Sequence, residues 1–368
     1  MKITEIRIQR LMLALDPPFH AAWDPVPRTS FAATVIYVHT DEGLIGVGSG
    51  DIMGGFEDFE HLFIGTDPLQ IVDQVKRLET AAFHGSRYWP LEVALWDIIG
   101  QVIGQPVSVL FGNSTNRLRA YASCGELKAP AARAESALAL RAQGFKALKI
   151  RIDRHHIDEG LAAVRATREA VGDSMDIMVD MNQAWRMAGD IAPASDVPRA
   201  RRTAAALQEM DVLWMEEPLP YSDLRGYQLL RAEGQRVAAG EMMRSFSELL
   251  DAMDHDAFDV YQPDVVLAVG MLRARTLAEL AHARNRWFTP HSWTNGIGVL
   301  ANVHVAAGVG AGPYFEFPYD PPGWTPERRD FMLVEPVRVN ADGDIVVPSS
   351  PGLGIQLDTD ALARFEVR

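Results

Sequence analysis

A chain of 368 residues is too long for one small domain and suits a barrel of about 250 residues joined to a smaller partner. Its 48% hydrophobic and 23% charged residues are those of a globular protein, and a net charge of −14 argues against a nucleic-acid surface or an anionic membrane partner. One cysteine, Cys124, excludes an intrachain disulfide framework. The start, Met1 to Ile8, alternates like a strand rather than a leader, and no run reaches the ~18 apolar residues of a membrane span, so the cytoplasm is the expected location.

Residues 1–50 are expected to begin as antiparallel strands. Ile3 to Ile8 alternate, Thr34 to His39 are β-branched and aromatic, and Asp41-Glu42-Gly43 supplies a turn into Leu44 to Val47. Asp16 to Ser30 reads as a Pro-rich loop carrying His20, Trp23, Asp24 and Arg28, suited equally to a lid or to plain surface. The run Gly46-Val47-Gly48-Ser49-Gly50 lacks the following helix that a nucleotide-binding turn requires. Residues 68–110 are expected to be helical, with apolar residues at helical spacing from Pro90 to Val102.

From about residue 118 short apolar runs alternate with longer amphipathic ones. The predicted strands are 118–123, 147–152, 176–180, 212–216, 237–241, 258–264, 287–291 and 314–316. Helical segments include 131–142, 157–171, 200–210 and 272–284. Eight such alternations in about 210 residues are what a barrel of the (β/α)₈ type needs. After Glu335 the chain returns to strand and turn, with Asp342-Gly343-Asp344 as a hairpin signal.

The chemistry-bearing residues fall at the ends of these runs. They are Lys149 and Arg151, then Asp180 and Asn182, Glu216 and Glu217, Glu241, Asp264, His291 and Glu316. From Asp180 to Glu316 the successive gaps of 36, 25, 23, 27 and 25 residues are each about one βα unit. In a barrel such positions converge on the C-terminal rim, where active sites lie. Asp180, Glu216 and Glu241, with no Cys among them, suit a hard oxygen-preferring cation such as Mg²⁺. Each could singly be a solvated acid, but together beside Trp214, Met215 and Val237-Ala238-Ala239 they would be costly without a metal. His291, in Thr289-Pro290-His291-Ser292-Trp293, with Asp264 makes a general base near neutral pH. His304 reads as a structural residue on a helix, and His155, His156 and His255 as solvated loop residues.

Several ordered motifs then resemble the mandelate racemase branch of the enolase superfamily. They are Phe145-Lys146-Ala147-Leu148-Lys149-Ile150-Arg151, Val179-Asp180-Met181-Asn182, Trp214-Met215-Glu216-Glu217-Pro218, Gly240-Glu241, Gln262-Pro263-Asp264 and Pro290-His291-Ser292. Pro90 to Gly112 and Pro351-Gly352-Leu353-Gly354-Ile355 extend the likeness to nearly the whole chain. The resemblance implies an α/β fold: a modified (β/α)₇β TIM-type barrel at 118–330, capped by an α+β domain from 1–117 and the returning tail 331–368. It also implies one Mg²⁺ per active site on Asp180, Glu216 and Glu241, and His291 with Asp264 as the acid/base dyad. Lys149 would hold the substrate carboxylate, Glu316 would hydrogen-bond it from the side opposite the metal, and the protein would be a homo-oligomer. Nearby carboxylates would favour a protonated Glu316 able to donate.

Arg151 departs from the Lys-x-Lys of many members. Arginine stays protonated well above neutral pH and is a poor proton acceptor, which leaves His291 as the convincing base. Racemisation needs a base on each face of the substrate. Dehydration can use one, so the favoured expectation is removal of the proton next to the carboxylate of a sugar acid, then loss of water to a 2-keto-3-deoxy acid. A racemase or epimerase of a 2-hydroxy acid or amino-acid derivative is the alternative, and a non-catalytic binding protein on the same fold is the third. Specificity is expected from His20, Trp23 and Arg28 on the capping loop, with Asn182, Trp293 and Asn295 on the barrel side.

Overall fold

The computed structural model describes residues 1–50 and 52–367. Strands β1 (Ile3–Phe19), β2 (Arg28–Thr40) and β3 (Ile45–Ser49) form an antiparallel sheet in the order β1-β2-β3. Helices α1 (Ile71–His84), α2 (Trp89–Ile103) and α3 (Val107–Leu110) follow. The alternating glycines of β3 have a packing role. A Cβ at Gly46 would lie 2.1 Å from the Ala94 carbonyl and one at Gly48 2.0 Å from the Pro90 carbonyl, so only glycine lets α2 lie on this strand.

Eight strands then make one parallel sheet: β4 (Arg117–Ser123), β5 (Ala147–Arg151), β6 (Asp176–Asp180), β7 (Val212–Glu216), β8 (Val237–Ala239), β9 (Val260–Tyr261), β10 (Trp287–Phe288) and β11 (Phe315–Pro318). The order is β10-β9-β8-β7-β6-β5-β4-β11. The Gly312 amide donates to the Phe288 carbonyl at 2.7 Å and Thr289 Oγ1 to the Tyr314 carbonyl at 3.3 Å, joining the two outer strands into a barrel. Helices α4 (Pro130–Ala142), α5 (Ile157–Val171), α6 (Val197–Gln208), α7 (Leu224–Ala232), α8 (Phe246–Asp254), α9 (Gly270–Ala283) and α10 (Gly296–Val309) fill the seven crossovers, which gives the (β/α)₇β arrangement. No described helix is long and apolar enough to cross a membrane.

Outside the barrel, two expectations need correction. The loop expected over Asp16–Ser30 is shorter, because β1 runs to Phe19 and β2 starts at Arg28, with Ala14 opposite Ser30 and Phe19 opposite Arg28. Pro17 and Pro18 are tolerated because they lie in an irregular stretch of an edge strand. The turn at Gly343 exists, but the strand after it, β12 (Asp344–Val346), pairs antiparallel with β4 of the barrel rather than with its own neighbour. Short helix α11 (Pro326–Arg329) precedes this strand and α12 (Thr359–Phe365) follows it. Further along, the Val107 amide donates to the Gly352 carbonyl at 3.0 Å and the Leu353 amide to Asp97 at 2.8 Å, which ties the tail to α2 and α3.

Candidate metal centre and acid/base dyad

Strand alternation points Lys149 and Arg151 to the same, inner face of β5. Ladder register then sets Arg151 beside Asp180 and Asp180 beside Glu216, so three charged groups sit side by side on adjacent strands. The chain reverses just beyond them, with Asn182 at φ 44° and Glu217 at φ 46°, and the Gln183 amide donates to the Glu217 carbonyl at 2.9 Å. Glu241 follows β8 by two residues, after Gly240 at φ 115°.

Oxygens of Asp180, Glu216 and Glu241 all lie within 4.8 Å of one another, and all three side chains are buried. Opposite ligands of an octahedral Mg²⁺ are about 4.2 Å apart, so the span fits one such ion. Glu241 Oε2 is buried without a hydrogen-bond donor, as an oxygen kept for a cation would be. Burial pushes Glu216 up to about 8 and raises Glu241 as well. Burial also opposes the charge on Asp180, but Arg151 and Lys149 beside it outweigh that and hold it below the usual range.

Lys149 Nζ bonds Glu216, sits 2.8 Å from Glu316 and 3.4 Å from Asp180, and has no exposed surface. Despite the desolvation, these carboxylates hold it strongly protonated. The expectation of a protonated Glu316 is overturned. This carboxylate meets only donors: Lys149 at 2.8 Å, Ser123 Oγ at 2.8 Å and the Ser292 amide at 2.7 Å. Burial works against its charge, yet Lys149, His291 and Arg151 keep it ionised far below the usual carboxylate range.

His291 Nδ1 lies 2.8 Å from Asp264 Oδ2, which fixes the tautomer with Nδ1–H donating and turns Nε2 to within 3.6 Å of Glu241. Burial disfavours the imidazolium, but Glu241, Glu316 and Asp264 together raise His291 to about 9; a cation held by Glu241 would cancel the first of these and return the ring toward the neutral form a base needs. Asp264 is itself held by the Val266 amide at 2.8 Å and Asn302 Nδ2 at 3.3 Å. His304, in contrast, is structural. It is buried in α10 between the Ser108 amide and the Leu353 carbonyl, each at 3.2 Å.

A cavity of about 720 Å³ is roofed by residues 20–25 and walled by 152–155, 181–183, 185–187 and 189–192; the triad, Lys149, Arg151 and His291 do not line it, but Trp185, which bonds Glu241, and Asn182, which bonds Arg151, do. His20, Trp23 and Asn182 line it; Arg28 and Trp293 do not. Arg28 instead pairs with Asp24. Trp293 packs against Trp23 at 4.8 Å and Phe19 at 5.8 Å, and its Nε1 donates to Ser123 Oγ at 2.8 Å. Asn295 is buried as the cap of α10 and bonds Ser49 Oγ at 2.7 Å, away from the cavity. The Arg151 guanidinium bonds Asp180, donates to Asn182 Oδ1 at 3.0 Å and lies 4.7 Å from the Trp23 ring. The lid is therefore an aromatic cover over a cation more than a polar recognition loop.

Several neighbours of the site have signals weaker than their placement. Gln262 Nε2 and Trp214 Nε1 donate to Glu216 Oε2 at 2.8 and 3.1 Å. Both stand two residues before a site acid, a spacing that puts alternate strand residues on one face. Trp185 Nε1 donates to Glu241 Oε1 at 2.8 Å from a loop with no periodicity to announce it.

With this geometry in view, the kinship is specific. Residues 131–361 match the enolase C-terminal domain-like family, and residues 3–112 match the mandelate racemase / muconate lactonizing enzyme N-terminal domain. The chain belongs to the mandelate racemase / muconate lactonizing enzyme family of the enolase superfamily. It is 29% identical to the D-galactarolactone cycloisomerase of Agrobacterium fabrum, an alignment covering 100% of this chain and 99% of that protein. It is 27% identical to the L-talarate/galactarate dehydratase of Salmonella typhimurium over 79% of this chain and 74% of that one. Among solved structures, a racemase from Streptomyces coelicolor A3(2) with bound magnesium superposes with a TM-score of 0.84 at 27% identity, covering 99% of this chain and 100% of that one.

Proposed function

We propose that the protein is a Mg²⁺-dependent acid-sugar dehydratase that abstracts the proton next to a carboxylate and eliminates the β-hydroxyl to leave a 2-keto-3-deoxy acid. The observation that carries this reading is a single histidine–carboxylate dyad facing an all-carboxylate triad, with an arginine where a second base would stand. Asp180, Glu216 and Glu241 are the residues to hold one Mg²⁺. Bound there, the ion supplies positive charge against the negative charge that builds on the substrate carboxylate as the α-proton leaves.

The protein's own groups account for the proton. His291 Nε2 takes it from the α-carbon, and Asp264 across the ring stabilises the resulting imidazolium. The same Nε2–H is then returned to the β-oxygen as the C–O bond breaks, so one water leaves and the carbon skeleton carries the double bond that ketonises. Lys149 remains an ammonium that opposes developing negative charge, and Arg151 acts through its charge and its hydrogen bonds. His20, Trp23 and Asn182 meet the rest of the substrate.

A second reading is opening of a sugar-acid lactone. It is favoured by full-length similarity to a D-galactarolactone cycloisomerase. It needs the same proton abstraction, with the ring oxygen as leaving group. The test is a panel of mono- and diacid sugars and their lactones with Mg²⁺, read as 2-keto-3-deoxy product, with His291→Asn alongside. Product only from open acids, lost in the variant, supports the dehydratase. Product only from lactones selects the cycloisomerase. α-Proton exchange into D₂O without product selects a racemase or epimerase.

A further inference from the structure

We infer that the far wall of the cavity is an anion subsite centred on Arg154, which receives a second carboxylate at the end of the substrate remote from the triad. The substrate class is then a diacid; this rests on the reading of the site as one that binds an acid sugar.

Position is the first argument. Arg154 stands three residues beyond Arg151, the last residue of β5, which bonds Asp180, so their Cα atoms are at most about 11 Å apart. The end carbons of an extended six-carbon diacid are about 6 Å apart, and a guanidinium at the tip of its stem covers the remainder. Asn182 lines the same cavity as Arg154, and its Nδ2 is buried and has no partner while its Oδ1 is taken by Arg151. It is a donor left for a substrate oxygen.

Charge is the second argument. The acids on the cavity wall are Asp24, Asp153 and Asp190. Asp24 turns to Arg28, and Asp153 turns to His156 at 2.7 Å and the His155 amide at 3.0 Å. Only Asp190 is left to balance two guanidiniums. Arg154 Nη2 meets both its oxygens at 2.6 and 2.7 Å, and Arg186 Nε lies 3.8 Å away. Partial burial, and then repulsion from Arg154, shift the Arg186 guanidinium below the usual arginine range, as expected where two cations share one anion.

Orientation is the third. The Arg154 side chain is only 12% exposed, and its Nε is engaged by His155 Nε2 at 3.2 Å. Nη1 has no hydrogen-bond partner among the described residues. A clamped guanidinium with one free edge loses little entropy on binding a carboxylate.

The test is calorimetry on the Mg²⁺-loaded protein with a C6 diacid lacking a β-hydroxyl, against the monoacid of equal length. Neither can eliminate, so failure of the dehydratase reading leaves the comparison intact. The native protein is expected to prefer the diacid by at least about tenfold. Arg154→Gln should erase that preference without changing monoacid affinity, and Arg154→Lys should restore part of it. Asp190→Asn, which removes the competing carboxylate, should preserve or increase the preference. Equal losses for both ligands in Arg154→Gln, or loss of the preference in Asp190→Asn, would make Arg154 a tie for the 181–192 loop and overturn the proposal. A preference for an ω-phosphorylated acid over the diacid would overturn the carboxylate assignment.

Discussion

Glu216→Gln separates metal binding from folding. In the native protein Glu216 Oε1 faces Lys149, while Oε2 accepts from Trp214 and Gln262. The substitution keeps the shape and removes one ligand charge. Its amide N–H₂ faces either Lys149 or the pair Trp214 Nε1 and Gln262 Nε2, and of these only the Gln262 amide can flip to accept. In chelator the variant should therefore melt below the native protein, and the informative quantity is the shift that Mg²⁺ adds to each. With Mg²⁺ at about a thousand times its Kd, ligand linkage stabilises the native fold by about 4 kcal/mol. A chain of 368 residues has an unfolding entropy of about 0.8 kcal/mol per degree, so the native shift should be about 5 °C. Loss of a direct ligand should cost at least the ~100-fold in affinity that loss of an outer-shell partner can cost. That leaves a shift below about 2 °C. The assay is differential scanning fluorimetry in chelator and in Mg²⁺. Equal shifts in both proteins, or none in the native one, would refute the assignment of the triad.

Three further outcomes follow from the geometry. His291→Asn should lower turnover by about 10³-fold while keeping the Mg²⁺ thermal shift, and a loss under tenfold in steady-state rate would remove His291 as the base. Trp185→Phe deletes the 2.8 Å bond to Glu241 and should weaken Mg²⁺ about tenfold by calorimetry; an unchanged Kd would show that this contact does not orient the ligand. His304 accepts from the Ser108 amide and donates to Leu353, a pairing only the neutral ring can make, and burial pushes it down to about 4. Its folded value lies below the unfolded value of about 6.5, so it contributes stability above pH 6.5 that is lost as pH falls toward 4, about 3 kcal/mol in all. His304→Gln should flatten the melting-temperature decline across that window by about 4 °C, and parallel declines in the two proteins would refute this.

The barrel was legible because its chemistry recurs with its architecture. Asp176–Asp180 and Val212–Glu216 end as strands where their apolar runs end, and each delivers an acid at the rim. Later strands were read too long. The chain leaves the ladder after Ala239, Tyr261 and Phe288, and Glu241, Asp264 and His291 stand on the turns beyond. Those turns are as buried as strands, so hydropathy does not mark where pairing stops. The partner of β12 was not legible, since a strand pattern states that an edge is offered and not which strand, over two hundred residues away, accepts it. Arg154, Trp185 and Asp190 were missed for a related reason. They lie on irregular loops where no period distinguishes a clamped side chain from a solvated one.

Arg151 is where local sequence and whole structure bear on the same question. Alone, the substitution of Arg for Lys removes a proton acceptor but leaves open whether a neighbour replaces it. The surroundings narrow that. The guanidinium donates to the Cys124 carbonyl at 3.2 Å and to Asn182 at 3.0 Å, bonds Asp180, and is roofed by Trp23 and Trp293 at 4.7 and 5.8 Å. The other nearby cation, Lys149, is held protonated by three carboxylates. Neither group is placed to accept a proton, whereas His291 Nε2 has no donor to occupy it. On the proposed reading this asymmetry selects chemistry in which the group that removes the α-proton also returns it, to the departing oxygen rather than to the opposite face of the carbon.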